Sequence, residues 1–226
     1  MTKIKLVGVL QSGYLENNET YVEWIQARGF ATMLIPYSVH DDDETVKRLI
    51  KACDAIVCPG GADVHPSHYN ATIDGARACY YYFDIWQLMF VAEAVKQKKK
   101  IFGICRGHQL INVYFNGSII QNLDSNKSMG AHYQTNGLFG FGRGEPFHRI
   151  TSILNKKDNR DVNSMHHQGI TTLELGNGLM PLYESKDTII EIMKHEILPI
   201  LSVQFHPEEM DIDTWNDYFE AFVNSE

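Results

Sequence analysis

The 226-residue chain has few cysteines and no long apolar run. Its four cysteines, at positions 53, 58, 79 and 105, include no CxxC pair and are too sparse for a secreted disulfide framework. No apolar stretch approaches the roughly 18 residues that a membrane-spanning helix needs. We therefore expect a cytoplasmic protein with reduced thiols and no membrane partner.

Positive charge is also scarce. The chain has 20 Lys and Arg residues against 28 Asp and Glu residues, which gives a net charge of -8. This balance argues against a polyanion-binding surface, so we expect no nucleic-acid partner, although it leaves room for a local basic pocket. The expected substrate is a small molecule.

The chain has only seven prolines and contains no Pro/Ser-rich linker, internal repeat or low-complexity tract. Its length suits one large domain or two small ones. Because nothing marks a boundary, we predict a single domain over residues 1–226.

Alternating strands and helices are predicted in the first half. Short, nearly continuous apolar runs at 4–10, 31–37, 54–60 and 100–105 are typical of strands covered on both faces. Before the last run, an apolar stripe predicts a helix, namely Ile85, Leu88, Met89, Ala92 and Val95. This pattern predicts an α/β fold, a doubly wound, mostly parallel, flavodoxin-like sheet with helices on both faces.

The second half differs. Residues 122–187 are polar and punctuated by glycine, and 188–205 reads as two strands around a short turn. We expect an antiparallel extension of the sheet there. A terminal helix is predicted from Ile212, Trp215, Phe219 and Phe222.

The segment Gly103-Ile104-Cys105-Arg106-Gly107 lies where an apolar strand ends and a helix begins. This G-x-C-x-G pattern indicates a nucleophile elbow, in which the glycines leave room for a strained central residue. We expect the Cys105 thiol to be exposed and activated by the helix N-terminus. The other three cysteines are predicted to be core thiols.

A cysteine nucleophile needs an acid–base partner that a third group orients. His206 follows another apolar strand, and Glu208 can reach its ring across the turn that Pro207 stiffens. His166 and His167 are the alternative candidates for the acid–base partner.

Together, G-I-C-R-G-x-Q at 103–109 and V-Q-F-H-P-E at 203–208 resemble the class I glutamine amidotransferases. The blocks P-G-G-A-D-V-H-P at 59–66 and V-N-S-M-H-H-Q at 162–168 resemble the γ-glutamyl-γ-aminobutyrate hydrolase branch of that family more closely. The resemblance implies the class I amidotransferase fold, with a catalytic triad at the carboxyl edge of the sheet.

The resemblance also implies a role for each matching residue. Cys105 is the expected nucleophile, His206 the base and acid, and Glu208 its orienting carboxylate. The backbone N–H groups of Arg106 and of Gly60 or Gly61 are expected to form the oxyanion hole. The expected binding residues for the glutamyl group are Gln109, Ser164, Met165 and His166.

The implied activity is hydrolysis of a γ-glutamyl amide through a glutamyl thioester. Leaving groups in the family range from γ-aminobutyrate to CDP-amidate, which is released in a capsule-forming branch that the sequence resembles. A nucleotide would require nearby cations, for which the candidates are Arg77, Arg106, Arg143 and Arg149. The alternatives are a glutaminase subunit that delivers ammonia to a separate synthetase and an inactive scaffold. Because few residues follow Glu208, we expect a standalone hydrolase, with a homodimer left open.

No cofactor or metal is expected. The glycine-rich segment 140–144 follows no apolar strand, so it reads as a surface loop and not as a nucleotide-binding loop. The histidine pairs His65 with His68 and His166 with His167 have no carboxylate or cysteine at metal-binding spacing.

Overall fold

The computed structural model describes residues 4–13, 18–123, 132, 147–210 and 213–225. The strands are β1 (Leu6–Leu10), β2 (Ala31–Ile35), β3 (Ala55–Cys58), β4 (Lys100–Ile104), β5 (Phe147–Ser152), β6 (Asn159–Asn163), β7 (Leu179–Ser185), β8 (Ile190–His195) and β9 (Ile200–Val203). The helices are α1 (Glu19–Gln26), α2 (Asp43–Ala52), α3 (Tyr81–Lys96), α4 (Arg106–Tyr114) and α5 (Asp213–Asn224).

The nine strands of the described residues form one sheet in the order β2-β1-β3-β4-β9-β8-β7-β5-β6. The five strands from β2 to β9 are parallel, and β8, β7, β5 and β6 continue the sheet with antiparallel pairing. The predicted α/β fold, with a parallel half and an antiparallel extension, is confirmed. The glycine-rich segment 140–144 lies outside the described residues.

Successive residues of the central strands point to opposite faces of the sheet and belong to two different hydrophobic cores. Ile101 packs with α2, α3 and α4 on one face, whereas Phe102 packs with α1 and α5 on the other. Phe102 contacts Phe219 of α5, with ring centroids 5.1 Å apart. Two-sided burial explains why these strands read as continuous apolar runs and not as alternating ones.

Helix α3 is confirmed, but its predicted core face is wrong. The fully buried side chains include Phe90, Val91 and Ala94, whereas the predicted stripe is only half-buried. Apolar residues surround most of this helix, so periodicity alone could not select the face that packs on the sheet. Within the described ranges, none of the helices is both long and apolar enough to span a bilayer.

Three neighbouring parallel strands determine where chemistry can occur. In the sheet register, Cys58 of β3 lies beside Gly103 of β4, and Ile104 of β4 lies beside Val203 of β9. Their carboxyl ends therefore meet at one edge, where ligands of such sheets bind. The Gly60, Cys105 and His206 motifs all follow these ends.

Candidate active site

Cys105 forms the predicted elbow between β4 and α4. Its backbone has φ 50° and ψ -104°, a conformation that L-residues rarely adopt and that concentrates at functional sites. A Cβ atom on Gly107 would lie 1.9 Å from the Cys58 carbonyl oxygen, and one on Gly103 would lie 2.8 Å from the Gly107 carbonyl oxygen. Both glycines are thus required by contact with backbone, as the sequence predicts.

The expectation of an exposed thiol is wrong, because Cys105 is only 7% exposed. The Gln204 amide donates to Cys105 Sγ at 3.6 Å, and Gln109 Nε2 donates to Gln204 Oε1 at 3.1 Å. The Gln109 amide is thus connected to the thiol through Gln204, and its expected role in binding the glutamyl group stays a prediction. The sequence reasoning missed Gln204, although it stands inside the V-Q-F-H-P-E block.

The other thiols are poor nucleophiles. Burial raises the pKa of Cys53 to about 11 and that of Cys58 to about 12. Both are core thiols, as predicted, whereas Cys79 is only half-buried and that prediction is wrong. Burial and the nearby Asp63 nevertheless raise the pKa of Cys79 to about 11. A high pKa leaves little thiolate at neutral pH.

His206 and Glu208 form the predicted pair after β9. His206 Nδ1 lies 2.7 Å from Glu208 Oε1, and the Glu208 side chain is 2% exposed. Burial lowers the pKa of His206, but the negative charges of Cys105 and Glu208 outweigh it and hold that pKa well above its usual value. The protonated imidazole is therefore favoured at this position.

Asn163 holds the backbone of His206 from a distant strand. The His206 N–H donates to Asn163 Oδ1 at 2.8 Å, and Asn163 Nδ2 donates to the His206 carbonyl at 2.7 Å. Asn163 belongs to the V-N-S-M-H-H-Q block. This block therefore positions the backbone of His206 in addition to forming the loop that follows β6. The sequence reasoning quoted this residue but gave it no role.

Gly60, in the loop after β3, lies beside the residues that follow β4 and β9. A Cβ atom built there would lie 2.7 Å from His206 Cε1, 2.8 Å from the Tyr21 hydroxyl and 3.6 Å from Cys105 Cβ. The Gly60 N–H donates to the Tyr21 hydroxyl at 3.1 Å. That amide is therefore engaged, and Gly61, which is half-buried with φ 149°, is the better candidate for the oxyanion hole.

Tyr21 of α1 is a site residue that sequence reasoning missed. Its side chain is buried, and burial together with the charges of Glu208 and Cys105 raises its pKa well above the usual value. It is therefore a neutral phenol beside the His206 and Glu208 pair. No motif marks it, because it lies far from the other blocks in sequence.

The side chain of Arg106 is not available to a ligand. It is 2% exposed, forms an ion pair with Asp84, donates to Gln87 and stacks on Phe83. As a leaving-group cation, Arg106 is thus excluded by its burial, and only its backbone N–H remains at the site. Arg149 is exposed and paired with Asp161, Arg77 is exposed, and Arg143 lies outside the described residues.

The loop after β6 carries the predicted glutamyl-binding residues. Ser164 and His166 are buried and Met165 is half-buried. Ser164 Oγ donates to the His132 carbonyl at 2.8 Å, and His166 Nδ1 lies 2.7 Å from the Gln168 carbonyl. The side chains of Ser164 and His166 therefore point into the protein, which leaves the backbone of the loop for a ligand.

A contact between a histidine and an aspartate joins two of the sequence blocks. His167 Nε2 lies 2.9 Å from Asp63 Oδ2, and both side chains are largely buried. Asp63 also accepts a hydrogen bond from the Arg77 N–H at 2.6 Å. The contact holds the loop after β6 against the glycine-containing loop after β3.

The chain is also similar to known proteins in sequence and in fold. The family model described as Peptidase C26 matches residues 4–208. The chain is 32% identical over 224 residues to the glutamine amidotransferase-like protein YvdE of Lactococcus lactis, covering 91% of this chain and 87% of that one. It is 26% identical to a γ-glutamyl-CDP-amidate hydrolase of Campylobacter jejuni over 77% of this chain and 70% of the other. A glutamine amidotransferase structure from Thermotoga maritima superimposes with a TM-score of 0.58 at 12% identity, covering 91% of this chain and 77% of that one.

Proposed function

Because the chain belongs to the Peptidase C26 family, we propose that it is a cysteine-dependent hydrolase of γ-glutamyl amides. One observation carries the proposal. Cys105 stands in a strained elbow at the end of β4, and His206, paired with Glu208, stands at the end of β9 beside the same glycine. A nucleophile, an acid–base group and an orienting carboxylate are what acyl transfer requires.

In the first step, the Cys105 thiolate attacks the γ-carbonyl carbon of the substrate. The backbone N–H groups of Arg106 and Gly61 donate to the resulting oxyanion. Protonated His206 then transfers its proton to the departing nitrogen as the C–N bond breaks. The products are a free amine or amidate and a glutamyl thioester on Cys105.

In the second step, neutral His206 takes a proton from water, and the water oxygen attacks the thioester. The tetrahedral intermediate collapses, releasing glutamate and restoring the Cys105 thiolate with protonated His206. Glu208 stabilises the imidazolium in both steps through its contact at 2.7 Å. The raised pKa of His206 suits a group that begins the cycle as an acid.

For the glutamyl group, we propose Gln109 and the loop carrying Ser164, Met165 and His166 as binding elements, with the loop acting through its backbone. The proposed leaving group is a γ-aminobutyrate-like amine or CDP-amidate, since the Campylobacter jejuni relative is named as a hydrolase of γ-glutamyl-CDP-amidate. Since the side chain of Arg106 pairs with Asp84, a nucleotide would need other cations.

The test is a panel of γ-glutamyl amides with glutamate release as the readout. The panel contains γ-glutamyl-γ-aminobutyrate, γ-glutamyl-CDP-amidate and free glutamine. We expect hydrolysis of at least one γ-glutamyl conjugate in preference to glutamine, and loss of all turnover in Cys105→Ser, with Cys79→Ser as the matched control. Preference for glutamine, stimulated by a synthetase, would favour an ammonia-delivering subunit. Turnover retained in Cys105→Ser would refute the nucleophile assignment.

A further inference from the structure

Glu191 on β8 is a buried carboxylate that the proposed reaction does not use. It is 0% exposed, and among the described residues no donor meets its oxygens with good hydrogen-bond geometry, although two imidazoles lie close to it. His148 Nε2 lies 3.1 Å from Glu191 Oε1 without hydrogen-bond alignment, and His166 Nε2 lies 3.6 Å from the same oxygen. A buried carboxylate of this kind is costly unless a positive charge compensates it.

The hydrogen bonds of the nearby histidines indicate which ring nitrogens carry protons. His132 Nε2 lies 2.9 Å from Asp187 Oδ2, and His166 Nδ1 lies 2.7 Å from the Gln168 carbonyl. Both partners accept hydrogen bonds, so these nitrogens are assigned as the N–H donors. The opposite nitrogens, His132 Nδ1 and His166 Nε2, then carry lone pairs, and both are buried without a partner among the described residues.

These three residues converge. Each of His132, His166 and Glu191 has a ligand atom within 4.8 Å of the others, and the two imidazole centroids are 4.8 Å apart. Neighbouring ligands of a tetrahedral Zn²⁺ ion, at metal distances of about 2.1 Å, lie about 3.4 Å from each other. The separation of 3.6 Å between His166 Nε2 and Glu191 Oε1 already matches this value, and the other separations, all within 4.8 Å, must close by at most about 1.4 Å.

We propose that His132, His166 and Glu191 bind one divalent transition-metal ion, and that His148, whose Nε2 lies 3.1 Å from Glu191 Oε1, turns toward the ion to complete its coordination. Imidazole nitrogens with one carboxylate suit Zn²⁺ and its first-row neighbours and not Mg²⁺ or Ca²⁺, which prefer oxygen alone. The contacts from Asp187 and the Gln168 carbonyl are the outer hydrogen bonds that orient metal-binding histidines.

The burial of these residues is typical of a structural metal site and not of a catalytic one. His132 is 3% exposed, His166 4% and Glu191 0%, so an ion there would be closed to solvent and substrate. It would connect β8 to the loop after β6, which begins at the Asn163 that holds His206. The sequence argument against a metal considered only neighbouring residues, whereas Glu191 and His132 approach His166 through the fold.

The test is metal uptake by the full chain after tag removal and treatment with a chelator. A Cys105→Ser background removes the catalytic thiol as a competing ligand. We expect one equivalent of Zn²⁺ to bind with a Kd below about 1 µM, measured against a chromophoric competitor. Failure of this parent protein to take up one equivalent would overturn the proposal and leave a protonated histidine as the compensating charge.

Variants then locate the ion. Glu191→Gln and His166→Gln should weaken binding on the order of 100-fold or more, and Asp187→Asn by about 10- to 100-fold. His40→Gln, which alters an exposed histidine, should change nothing. Unchanged affinity in folded Glu191→Gln would overturn the proposal.

If the variants do not fold, the visible absorption spectrum of Co²⁺ bound to the parent protein is the deciding measurement. Intense visible absorption without a sulfur charge-transfer band indicates a tetrahedral nitrogen and oxygen site and supports the proposal. Weak octahedral absorption or a thiolate band would contradict it.

Discussion

Replacing Gly107 by alanine tests the close approach of the elbow helix to the sheet, because two effects predict opposite signs. Gly107 lies in the first turn of α4, and helix propensity alone predicts that alanine stabilises the protein by up to about 1 kcal/mol. The structure predicts the reverse. The new Cβ atom would lie 1.9 Å from the Cys58 carbonyl oxygen, a backbone atom of the central strand β3 that cannot rotate away.

The expected loss in free energy of unfolding can be estimated from the shift that α4 must make. Since Cβ atoms do not approach within 3.0 Å of other heavy atoms, α4 must shift by about 1.1 Å. Leu110 and Ile111 of that helix are fully buried, and burying such a side chain contributes about 1.5 to 3 kcal/mol each. A partial loss of this packing, with strain of about 1 to 3 kcal/mol, gives an expected net destabilisation of about 3 kcal/mol.

Urea unfolding followed by tryptophan fluorescence measures this free energy. Gly29→Ala is the control, because φ at Gly29 is 78° and nothing lies near the added atom, so only a backbone cost of about 1 to 2 kcal/mol is expected. A Gly107→Ala protein as stable as the wild type, or more stable, would refute the steric account of the elbow.

Two further predictions concern charges. Glu208→Gln removes one cause of the raised pKa of His206, so the alkaline limb of the pH profile of kcat/KM should move to lower pH; an unmoved limb would mean that Glu208 does not stabilise the imidazolium. Because folding raises the pKa of His206, the protonated imidazole stabilises the folded protein fully below the unfolded pKa of about 6.5. This stabilisation is lost as pH rises through the folded pKa. The difference in free energy of unfolding between wild type and Glu208→Gln should therefore shrink with rising pH in urea titrations. Arg106→Met leaves the buried Asp84 carboxylate without its guanidinium partner, with the His65 N–H and the His68 ring near its other oxygen, and should reduce the free energy of unfolding by about 3 kcal/mol, whereas the double variant with Asp84→Asn should recover part of it. Equal stability of the single and double variants would show that the unpaired carboxylate is not the cause.

The parallel half of the sheet and the elbow could be predicted because their causes are local in sequence. Two-sided burial produces continuous apolar runs, and the contact of Gly107 with the Cys58 carbonyl restricts that position to glycine. The carboxyl ends of β3, β4 and β9 meet because parallel neighbours share an edge, and this places Cys105 and His206 together.

The antiparallel extension was predicted only in outline. Strands β5, β6 and β7 come from a polar segment with weak alternation, and their pairing depends on partners elsewhere in the sheet. The core face of α3 was predicted wrongly for a similar reason, since the helix is apolar on several sides.

The sequence by itself determined the fold class and the residues that meet at the carboxyl edge, because strand periodicity and backbone sterics are written in neighbouring residues. Only the tertiary structure decided which groups surround them. It engages the Gly60 amide with Tyr21, buries the guanidinium of Arg106 against Asp84 and brings Glu191 to His166. These are contacts between side chains far apart in the chain, and their energies depend on burial and distance, which no sequence spacing encodes.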